Sequence, residues 1–339
     1  MNVSLETLVK QTLEPSEELI NDISSLVGDI IVLGAGGKMG PDLIKLALKA
    51  IKAAGVKKRV IGVSRFSDTE LLKELTDAGM EAIPGDLLDE AFLESLPEIP
   101  NVMYMAGTKF GTTGNESYTW AMNTYLPGRV AQKFRNSRIV AFSTGNIYPY
   151  SPVHGGGCAE EQTPAPVGEY GQSCLGRERM FQHFSLKYQT PVLIYRLNYA
   201  IDLKYGVLLE IAKSVRDEKP IDLATANVNV IWQRDANEVA LRAFHHCSSP
   251  PKLLNVTGPE TLSVQWVARQ FGEKFDKTPL FVNEPQQTAL LSNAAECARL
   301  FGYPKTSVKE MIEILAQWLQ QGGKVNQKPT HFQEREGKF

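Results

Sequence analysis

Three glycines spaced three residues apart follow a short apolar segment near the start of the chain. Residues 30–33 have the length and β-branched content of a buried strand, and residues 43–50 have helical spacing. Between them, Gly34 permits a tight turn, Gly37 lets a phosphate approach the backbone, and Gly40 lets helix and strand pack closely. Because a helix N-terminus carries unpaired N–H groups, this order predicts a site for the pyrophosphate of a dinucleotide. The alternative is a plain strand-to-helix turn. The predicted cofactor-binding set here also includes Gly36, Lys38 and Met39.

The residues after the second predicted strand, 59–64, bear on which dinucleotide is bound. This strand end normally reads the adenosine ribose, through a carboxylate for NAD or an arginine for NADP. Here the strand ends in Ser64 and Arg65, without an acid. The pattern favours NADP over NAD, although an exposed arginine is common at strand ends and NAD can bind without the acid.

The third predicted strand, around residues 81–83, leads into Gly85, Asp86 and Leu87. A carboxylate at this position can accept a hydrogen bond from the adenine amino group. It can equally cap the following helix, and both roles are compatible.

Two further strands are expected at 101–105 and 138–142, with a long helix over about 118–135 between them. Repeated alternation of strand and helix predicts an α/β fold, a doubly wound parallel sheet of the Rossmann type with a smaller C-terminal substrate lobe. The ligand crevice of such a sheet lies at the carboxyl ends of its strands, where the residues named above all fall.

Composition narrows the classes of protein. The chain has 339 residues and a net charge of −2, which gives no electrostatic footprint for nucleic acid or an anionic membrane. No apolar run has transmembrane length and the N-terminus is unlike a signal peptide, so a cytoplasmic protein is expected. The four cysteines are too widely spaced for a metal site or disulfide framework and are expected to be reduced: Cys158, Cys174, Cys247 and Cys297.

Taken together, these motifs resemble the extended short-chain dehydrogenase/reductase family, which contains nucleotide-sugar epimerases and dehydratases. The resemblance covers about residues 29–320. It implies that Ala106, Gly107 and Lys109 form a cofactor-contacting loop, and that Asn123 supports the site from the long helix. The segment from Ser143 to Tyr148 resembles the family element in which Thr144 holds the substrate oxygen, with Ser143 beside the cofactor.

The chain departs from the family at its Tyr-x-x-x-Lys signature, because Tyr170 is followed by Cys174 in place of the lysine. In the family the tyrosine is the general acid/base, and the lysine binds the nicotinamide ribose and lowers the pKa of the phenol. Helical spacing places Tyr170, Cys174 and Arg177 on one face. Three interpretations stay open: Lys109 or Arg177 replaces the missing cation, Tyr170 works without one, or the site binds nucleotide but has lost redox catalysis.

We expect the chain to divide into four parts. Residues 1–28 are an N-terminal helical extension; 29–198, completed by parts of 225–257, form the NAD(P)-binding domain; 199–224 and 258–321 form the substrate lobe; and 322–339 are a polar, irregular tail. Asp235 and Glu238 read best as a capping box. Trp232, Gln233 and Arg234 are candidates to line a small polar pocket.

Nucleotide-sugar members of the family usually carry an asparagine and an arginine where this chain has Tyr199 and residues around Val228. The sequence therefore favours a smaller sugar-like substrate. The first hypothesis is an NAD(P)-dependent oxidoreductase, epimerase or dehydratase acting on a sugar-like polyol, as a homodimer without nucleic-acid or membrane partners and without a metal. The second is a nucleotide-binding regulatory or scaffold protein.

Overall fold

The computed structural model describes residues 4–326 and 329–338. Within them the strands are β1 (Ile30–Leu33), β2 (Val60–Ser64), β3 (Glu81–Pro84), β4 (Asn101–Tyr104), β5 (Arg138–Thr144), β6 (Ser151–Pro152), β7 (Val192–Leu197), β8 (Ala200–Ile201), β9 (Ile221–Asp222), β10 (Asn227–Val228), β11 (Ile231–Trp232), β12 (Lys252–Val256), β13 (Leu262–Ser263), β14 (Phe281–Val282) and β15 (Thr288–Ala289).

The α-helices in the same residues are α1 (Leu5–Gln11), α2 (Glu17–Ser25), α3 (Gly40–Ala54), α4 (Thr69–Asp77), α5 (Glu90–Ser95), α6 (Glu116–Trp120), α7 (Leu126–Lys133), α8 (Gly168–Tyr188), α9 (Val207–Arg216), α10 (Gln233–Arg242), α11 (Val264–Phe275), α12 (Ala295–Phe301) and α13 (Val308–Gln320). A π-helical turn, Ala121–Tyr125, joins α6 to α7.

Seven strands form one parallel sheet in the order β12-β7-β5-β4-β1-β2-β3. Alternate side chains of each strand enter two apolar layers: Ile30 and Val32 face α2, α3 and α10, whereas Ile31 and Leu33 face the side of α7 and α8. Burying each such side chain contributes about 1.5–3 kcal/mol. The sheet confirms the predicted doubly wound α/β class. The strand order reverses between β1 and β4, so the ligand crevice opens above these two strands.

The N-terminal extension forms two helices. Ser16 caps α2 by accepting from the Leu19 N–H at 3.1 Å, and two acidic residues follow it in the first turn. Leu19 and Ile23 are fully buried against α3, so α2 belongs to the core of the sheet region, whereas Leu8 of α1 packs into the apolar cluster of the lobe.

The predicted capping box at Asp235 and Glu238 is wrong. Helix α10 starts at Gln233, immediately after the two-residue strand β11, so both carboxylates lie inside the helix. There they pair with Arg234, at 3.0 Å to Asp235 and 2.9 Å to Glu238.

The structure does not bring residues 232–234 together around one pocket, although Arg234 lines a cavity of about 30 Å³. Trp232 is buried in the lobe core, the Gln233 amide donates to Asp42 at 2.9 Å, and Arg234 donates to the Glu14 carbonyl. Because α10 begins at Gln233, the side chains of residues 232–234 point in different directions.

The tail has no helix or strand in the described residues 322–326 and 329–338, as predicted from its composition. It lies along the lobe, with Thr330 and Phe332 buried. Within the described part of the chain, no helix is both long enough and apolar enough to span a membrane.

Candidate functional site

The glycine turn after β1 has a different steric requirement at each glycine. Gly34 has a φ of +98°, and a Cβ there would lie 2.7 Å from the Ala106 nitrogen. A Cβ on Gly40 would lie 2.4 Å from the Ala35 carbonyl oxygen, which is the close packing that the motif predicted. A Cβ on Gly37 would meet only the Gly34 carbonyl, at 3.1 Å. The backbone of Gly37 therefore borders open space, as a bound pyrophosphate requires.

That open space is a cleft of about 230 Å³ at the carboxyl ends of β1, β2 and β4. Nine of the predicted cofactor residues line it: Gly34, Gly36, Gly37, Ser64, Arg65, Asp86, Leu87, Ala106 and Gly107. The sequence did not single out other lining residues, namely Phe66, Asp68, Leu71, Met105, Tyr118 and Met122. In the sequence, these residues could have been found only from their positions near the end of a strand or in the helix that follows it. The cleft fits an extended dinucleotide with its pyrophosphate at the glycine turn.

Two predicted cofactor residues direct their side chains elsewhere. Met39 is part of the apolar layer under α3. The Ser143 hydroxyl donates to Glu178 Oε1 at 2.6 Å, inside the protein. Neither side chain is among those that line the cleft, so any cofactor contact there falls to the backbone.

Asp86 does not cap a helix. Its Oδ1 accepts from the Leu88 N–H at 3.0 Å in a local turn, while Asp89 caps α5 by accepting from Phe92. The helix starts three residues later than the capping interpretation assumed. Asp86 is exposed at the edge of the cleft, so the adenine contact stays a prediction.

Lys38 extends from the glycine turn towards the lobe. Its ammonium lies 2.9 Å from the ring centroid of Tyr205, a cation–π contact. The pKa of Lys38 is lowered to about 7, mainly by burial and in part by the nearby ammonium of Lys109, while the carboxylates of Asp202 and Glu210 act in the opposite direction. An anion bound here restores the charged form.

Asn123 organises the far wall of the site. It lies in the π-helical turn, an irregularity that is frequent at functional sites. Its Oδ1 accepts from the Thr108 N–H at 2.9 Å and from Arg177 Nη2 at 2.8 Å, and its Nδ2 donates to the Thr108 carbonyl and to Ser173. The amide thus ties the loop after β4 to α8.

Arg177 lies beneath this loop and is 7% exposed. Its Nη1 donates to the Phe142 carbonyl at 2.8 Å. A Cβ on Gly107 would lie 2.4 Å from Arg177 Nη2, so glycine is needed where the loop crosses the guanidinium. Arg177 is a fixed, buried positive charge one turn along α8 from Cys174.

Tyr170 and Thr144 meet at the carboxyl edge of the sheet. Side-chain hydrogen bonds join the Tyr170 hydroxyl to Thr144 and to the Cys174 thiol. Burial raises the pKa of Tyr170, and a thiolate at Cys174 would raise it further, whereas the charge of Arg177 and the bond to Thr144 lower it. Cys174 is fully buried and burial also raises the pKa of its thiol, so the thiol is neutral at physiological pH.

Lys109 approaches Tyr170 from the loop after β4. Its ammonium lies 5.7 Å from the Tyr170 ring centroid and 5.5 Å from that of Phe110. Burial lowers the pKa of Lys109 to about 8. The structure therefore brings together Tyr170, Thr144, Cys174, Lys109 and Arg177, which come from three separate elements.

A buried ion pair supports α8 from below. Arg196 Nη2 lies 2.8 Å from Glu178 Oε2, and the two side chains are 3% and 1% exposed. Arg196 also donates to the Tyr148 hydroxyl at 2.6 Å. Burial raises the pKa of Tyr148 to about 12, so this hydroxyl stays neutral. The pair fixes α8 against β7, and sequence reasoning gave Glu178 no role.

Tyr199 and Val228, the positions where the polar residues typical of nucleotide-sugar members are missing, are adjacent in sequence to two buried asparagines. Asn198 Nδ2 donates to Asn229 Oδ1 at 2.8 Å, and Asn229 Nδ2 donates to the Ser292 carbonyl at 2.6 Å. These amides join the lobe segments to one another. Val228 is buried in the lobe core and Tyr199 packs against it.

Comparison with known structures gives extensive matches along the chain. Pal from Bacillus thuringiensis superposes with a TM-score of 0.72 at 16% identity, covering 86% of this chain and 99% of that chain. A UDP-glucose 4-epimerase from Thermotoga maritima, with UDP-glucose, gives 0.71 at 16% identity with the same coverage. A UDP-glucuronic acid 4-epimerase variant from Bacillus cereus, in complex with a fluorinated UDP-sugar and NAD, gives 0.70 at 18% identity, again covering 86% and 99%. At these identities the likeness shows the fold.

No significantly similar sequence is found among curated proteins. The family model for the NAD dependent epimerase/dehydratase family matches residues 30–201, just over half of the chain. That range contains the glycine turn, the loop of Lys109, Thr144 and the whole of α8, which confirms the family resemblance seen in the sequence. The chain belongs to the NAD dependent epimerase/dehydratase family, a family of enzymes.

Proposed function

We propose that this protein is an NAD(P)-dependent oxidoreductase, epimerase or dehydratase that acts on a hydroxyl-bearing carbon of a sugar or sugar-like polyol. The observation that carries the proposal is the placement of Tyr170 next to Thr144, with the Lys109 ammonium 5.7 Å from the Tyr170 ring, on the edge of the sheet that also carries the glycine turn and its cleft. Thr144 holds the oxygen of the substrate hydroxyl, and Tyr170 exchanges its proton as the carbonyl forms or is reduced. A bound nicotinamide supplies the acceptor and donor of the hydride.

Two cations replace the two functions of the missing motif lysine, which are lowering the pKa of the tyrosine and binding the nicotinamide ribose. Arg177 is buried and always charged, and its positive charge lowers the pKa of Tyr170 from a position further along the same helix. Its guanidinium is held by Phe142 and Asn123, so it does not reach a ligand. Lys109 lies on the ligand side of Tyr170 and is the group we assign to the nicotinamide ribose. A neutral Cys174 is compatible with both, since it adds no charge between them.

The second cofactor determinant is the end of β2. Arg65 and Ser64 line the cleft and support a preference for NADP through the ribose 2′-phosphate. Asp68 lines the same region and offers a carboxylate suited to the ribose hydroxyls of NAD. Titration of both cofactors into Arg65→Ala decides between them: a larger loss for NADP than for NAD supports the 2′-phosphate contact, and equal losses contradict it.

A nucleotide-binding regulatory protein is the competing candidate. The raised pKa of Tyr170 favours it, because a neutral phenol is a weak base. In that case the cofactor binds but no sugar changes its redox state.

The test is the absorbance of reduced nicotinamide when sugars and sugar acids are added to protein loaded with oxidised cofactor. We expect a rise in absorbance, a loss of about 10²–10⁴-fold in rate for Tyr170→Phe, and joint losses of rate and cofactor affinity for Lys109→Met. Lys309→Met, at an exposed position on α13, is the matched control. No change with any sugar, or full activity in Tyr170→Phe, would overturn the proposal.

We also propose that the protein is a homodimer. The supporting feature is an apolar groove of about 480 Å³ between the α6–α7 segment and α8. Trp120 and Tyr125 are 37% and 50% exposed there, beside Met180 and Phe184. Exposed apolar area of this kind is typical of an interface.

A further inference from the structure

The C-terminal segment 329–338, here called the strap, is anchored to the lobe at its first residues. The Thr330 N–H donates to Glu210 Oε1 at 2.8 Å, and the Thr330 hydroxyl is bonded to the other carboxylate oxygen. Phe332 is 4% exposed and belongs to the lobe core. Since Glu210 lies on α9, this end of the strap is fixed to the wall of the lobe that faces the cleft residues Lys38 and Lys109.

The middle of the strap is held by a charged side chain. Arg335 donates to the Thr288 carbonyl at 2.9 Å and to the Thr288 hydroxyl at 2.8 Å. Its guanidinium carbon lies 4.1 Å from the ring centroid of Tyr150, and the Tyr150 hydroxyl donates to the Glu334 carbonyl at 3.2 Å. A cation with carbonyl acceptors and an aromatic face is well compensated for the loss of water.

The other end of the strap contacts the start of the helix that carries Tyr170. Gly337 has a φ of +76° and Gly168, the first residue of α8, has a φ of +73°. A Cβ on Gly168 would lie 2.4 Å from the Gly337 carbonyl oxygen, and one on Gly337 would lie 2.5 Å from the Val167 carbonyl oxygen. Both positions therefore require glycine.

A ring contact joins the strap to the loop after β4. The ring centroids of His331 and Phe110 are 5.7 Å apart, and Phe110 is adjacent to Lys109. The strap thus touches the lobe, the loop of Lys109 and the start of α8, the helix that carries Tyr170.

The strap also fills the space next to Thr144. Beyond Asn146, the cavity bounded by Tyr148, Tyr150, Val167, Leu290 and Gly337 has a volume of about 10 Å³. That is space for about one water molecule. The space between the strap residue Gly337 and the residues around Asn146 is therefore closed to any larger group.

We propose that the strap closes the substrate side of the cleft and restricts the ligand to a sugar unit without a nucleotide handle. The proposal rests on the proposed function for the nature of the ligand. It agrees with Tyr199 and Val228 at the positions where nucleotide-sugar members carry polar handles. Substrate size is then set by a segment of the chain that lies outside the sheet and helices.

Gly337→Ala tests whether the strap is seated, because the added methyl group collides with Val167 and the φ is unfavourable. Gly322→Ala is the matched control: its φ is +73°, but no atom lies within 4 Å of the added Cβ. Hydrogen–deuterium exchange, followed by mass spectrometry, should show at least tenfold faster exchange across the strap in Gly337→Ala and no change there in Gly322→Ala. Equal protection in both variants would overturn the contact.

Binding of UDP-glucuronic acid, measured by titration calorimetry without turnover, tests the restriction itself. The double variant Gly337→Ala/Arg335→Ala should bind this probe at least tenfold more tightly than the natural chain, with unchanged NAD affinity. Equal binding contradicts the proposal, and so does the absence of binding in both proteins, since something other than the strap would then exclude the nucleotide. Failure of the proposed function shows separately, as no change in cofactor redox state with any sugar.

Discussion

A single thiol separates this site from the usual chemistry of its family. Replacing an ammonium by the buried thiol of Cys174 removes a charge about one helical turn from Tyr170, and burial then raises the pKa of the phenol. A phenol with a raised pKa is protonated at neutral pH. We therefore expect the residue to act first as an acid towards a carbonyl, and its use as a base to increase as the pH rises.

Restoring the lysine distinguishes the three interpretations of Cys174. In an enzyme that already uses Arg177 and Lys109, Cys174→Lys adds a like charge to a fully buried position, so we expect neutral or reduced activity and no gain in cofactor affinity. Cofactor titration and the pH profile of turnover measure this. Tighter cofactor binding, together with a new pH-dependent increase in rate near neutral pH, would contradict the hypothesis that Lys109 and Arg177 replace the motif lysine. Cys174→Ala, which removes the thiol without adding a charge, is the control.

We expect Lys38 to give a pH dependence to cofactor binding. Its pKa is about 7 in the free protein, and a bound pyrophosphate raises it, so binding above pH 7 takes up a proton. At pH 8 we expect an uptake approaching about 0.9 proton, with affinity falling as the pH rises from 7 to 9. Calorimetry in buffers of different ionisation enthalpy measures this uptake. Lys38→Met should abolish it, and an unchanged uptake would contradict the role of Lys38. Lys109, whose pKa is about 8, could take up no more than about half a proton at pH 8.

At the scale of elements, the glycine turn combines two requirements that are separable. Gly40 is needed for the packing of α3 on β1, because Ala35 leaves no room for a Cβ, whereas the backbone of Gly37 borders the cleft. One glycine of the turn is needed for packing, and another lets a ligand approach the backbone at the cleft.

A pair of substitutions tests this separation. Gly37→Val should remove NAD binding while the thermal midpoint changes by no more than about 2 °C, since its Cβ meets only one carbonyl oxygen. Gly40→Val should instead lower the free energy of unfolding by about 1–3 kcal/mol, as overpacking does. Calorimetric titration and thermal unfolding of both variants decide the matter. Unchanged NAD affinity in Gly37→Val would contradict the assignment of the turn.

At the scale of the whole molecule, the site is assembled from distant parts of the chain. The sheet contributes the glycine turn and Thr144, α8 contributes Tyr170, and the strap and α9 close the opposite side. The buried pair of Glu178 and Arg196 connects α8 to β7, so movement of the helix would expose two charges to an apolar interior.

The apolar groove predicts the oligomeric state. Light scattering after gel filtration should give twice the mass of one chain, because the groove at Trp120 and Tyr125 exposes apolar surface that a second copy can cover. Met180→Arg places a charge in this groove and should yield monomer. Leu186→Arg is the control, since Leu186 is 54% exposed on the same helix but does not line the groove. A monomeric natural chain would contradict the dimer.

The sequence by itself determined the class of fold and the position of the cofactor turn, because both depend on local patterns: the apolar run before Gly34, the spacing of the glycines, and the alternation of strand and helix. It also predicted the common face of Tyr170, Cys174 and Arg177, which follows from helical geometry.

Only the tertiary structure decided which groups surround Tyr170. Lys109, Arg177 and Thr144 are brought together by the parallel packing of β4, β5 and α8, and neither their orientation nor the π-helical turn at Asn123 is encoded in local spacing. The same holds for the strap: an irregular polar segment gives no periodic signal, and its place is set by long-range contacts such as Thr330 with Glu210 and Gly337 with Gly168. The capping box at Asp235 failed for this reason too, since pairing of β11 with β8 moved the helix start to Gln233.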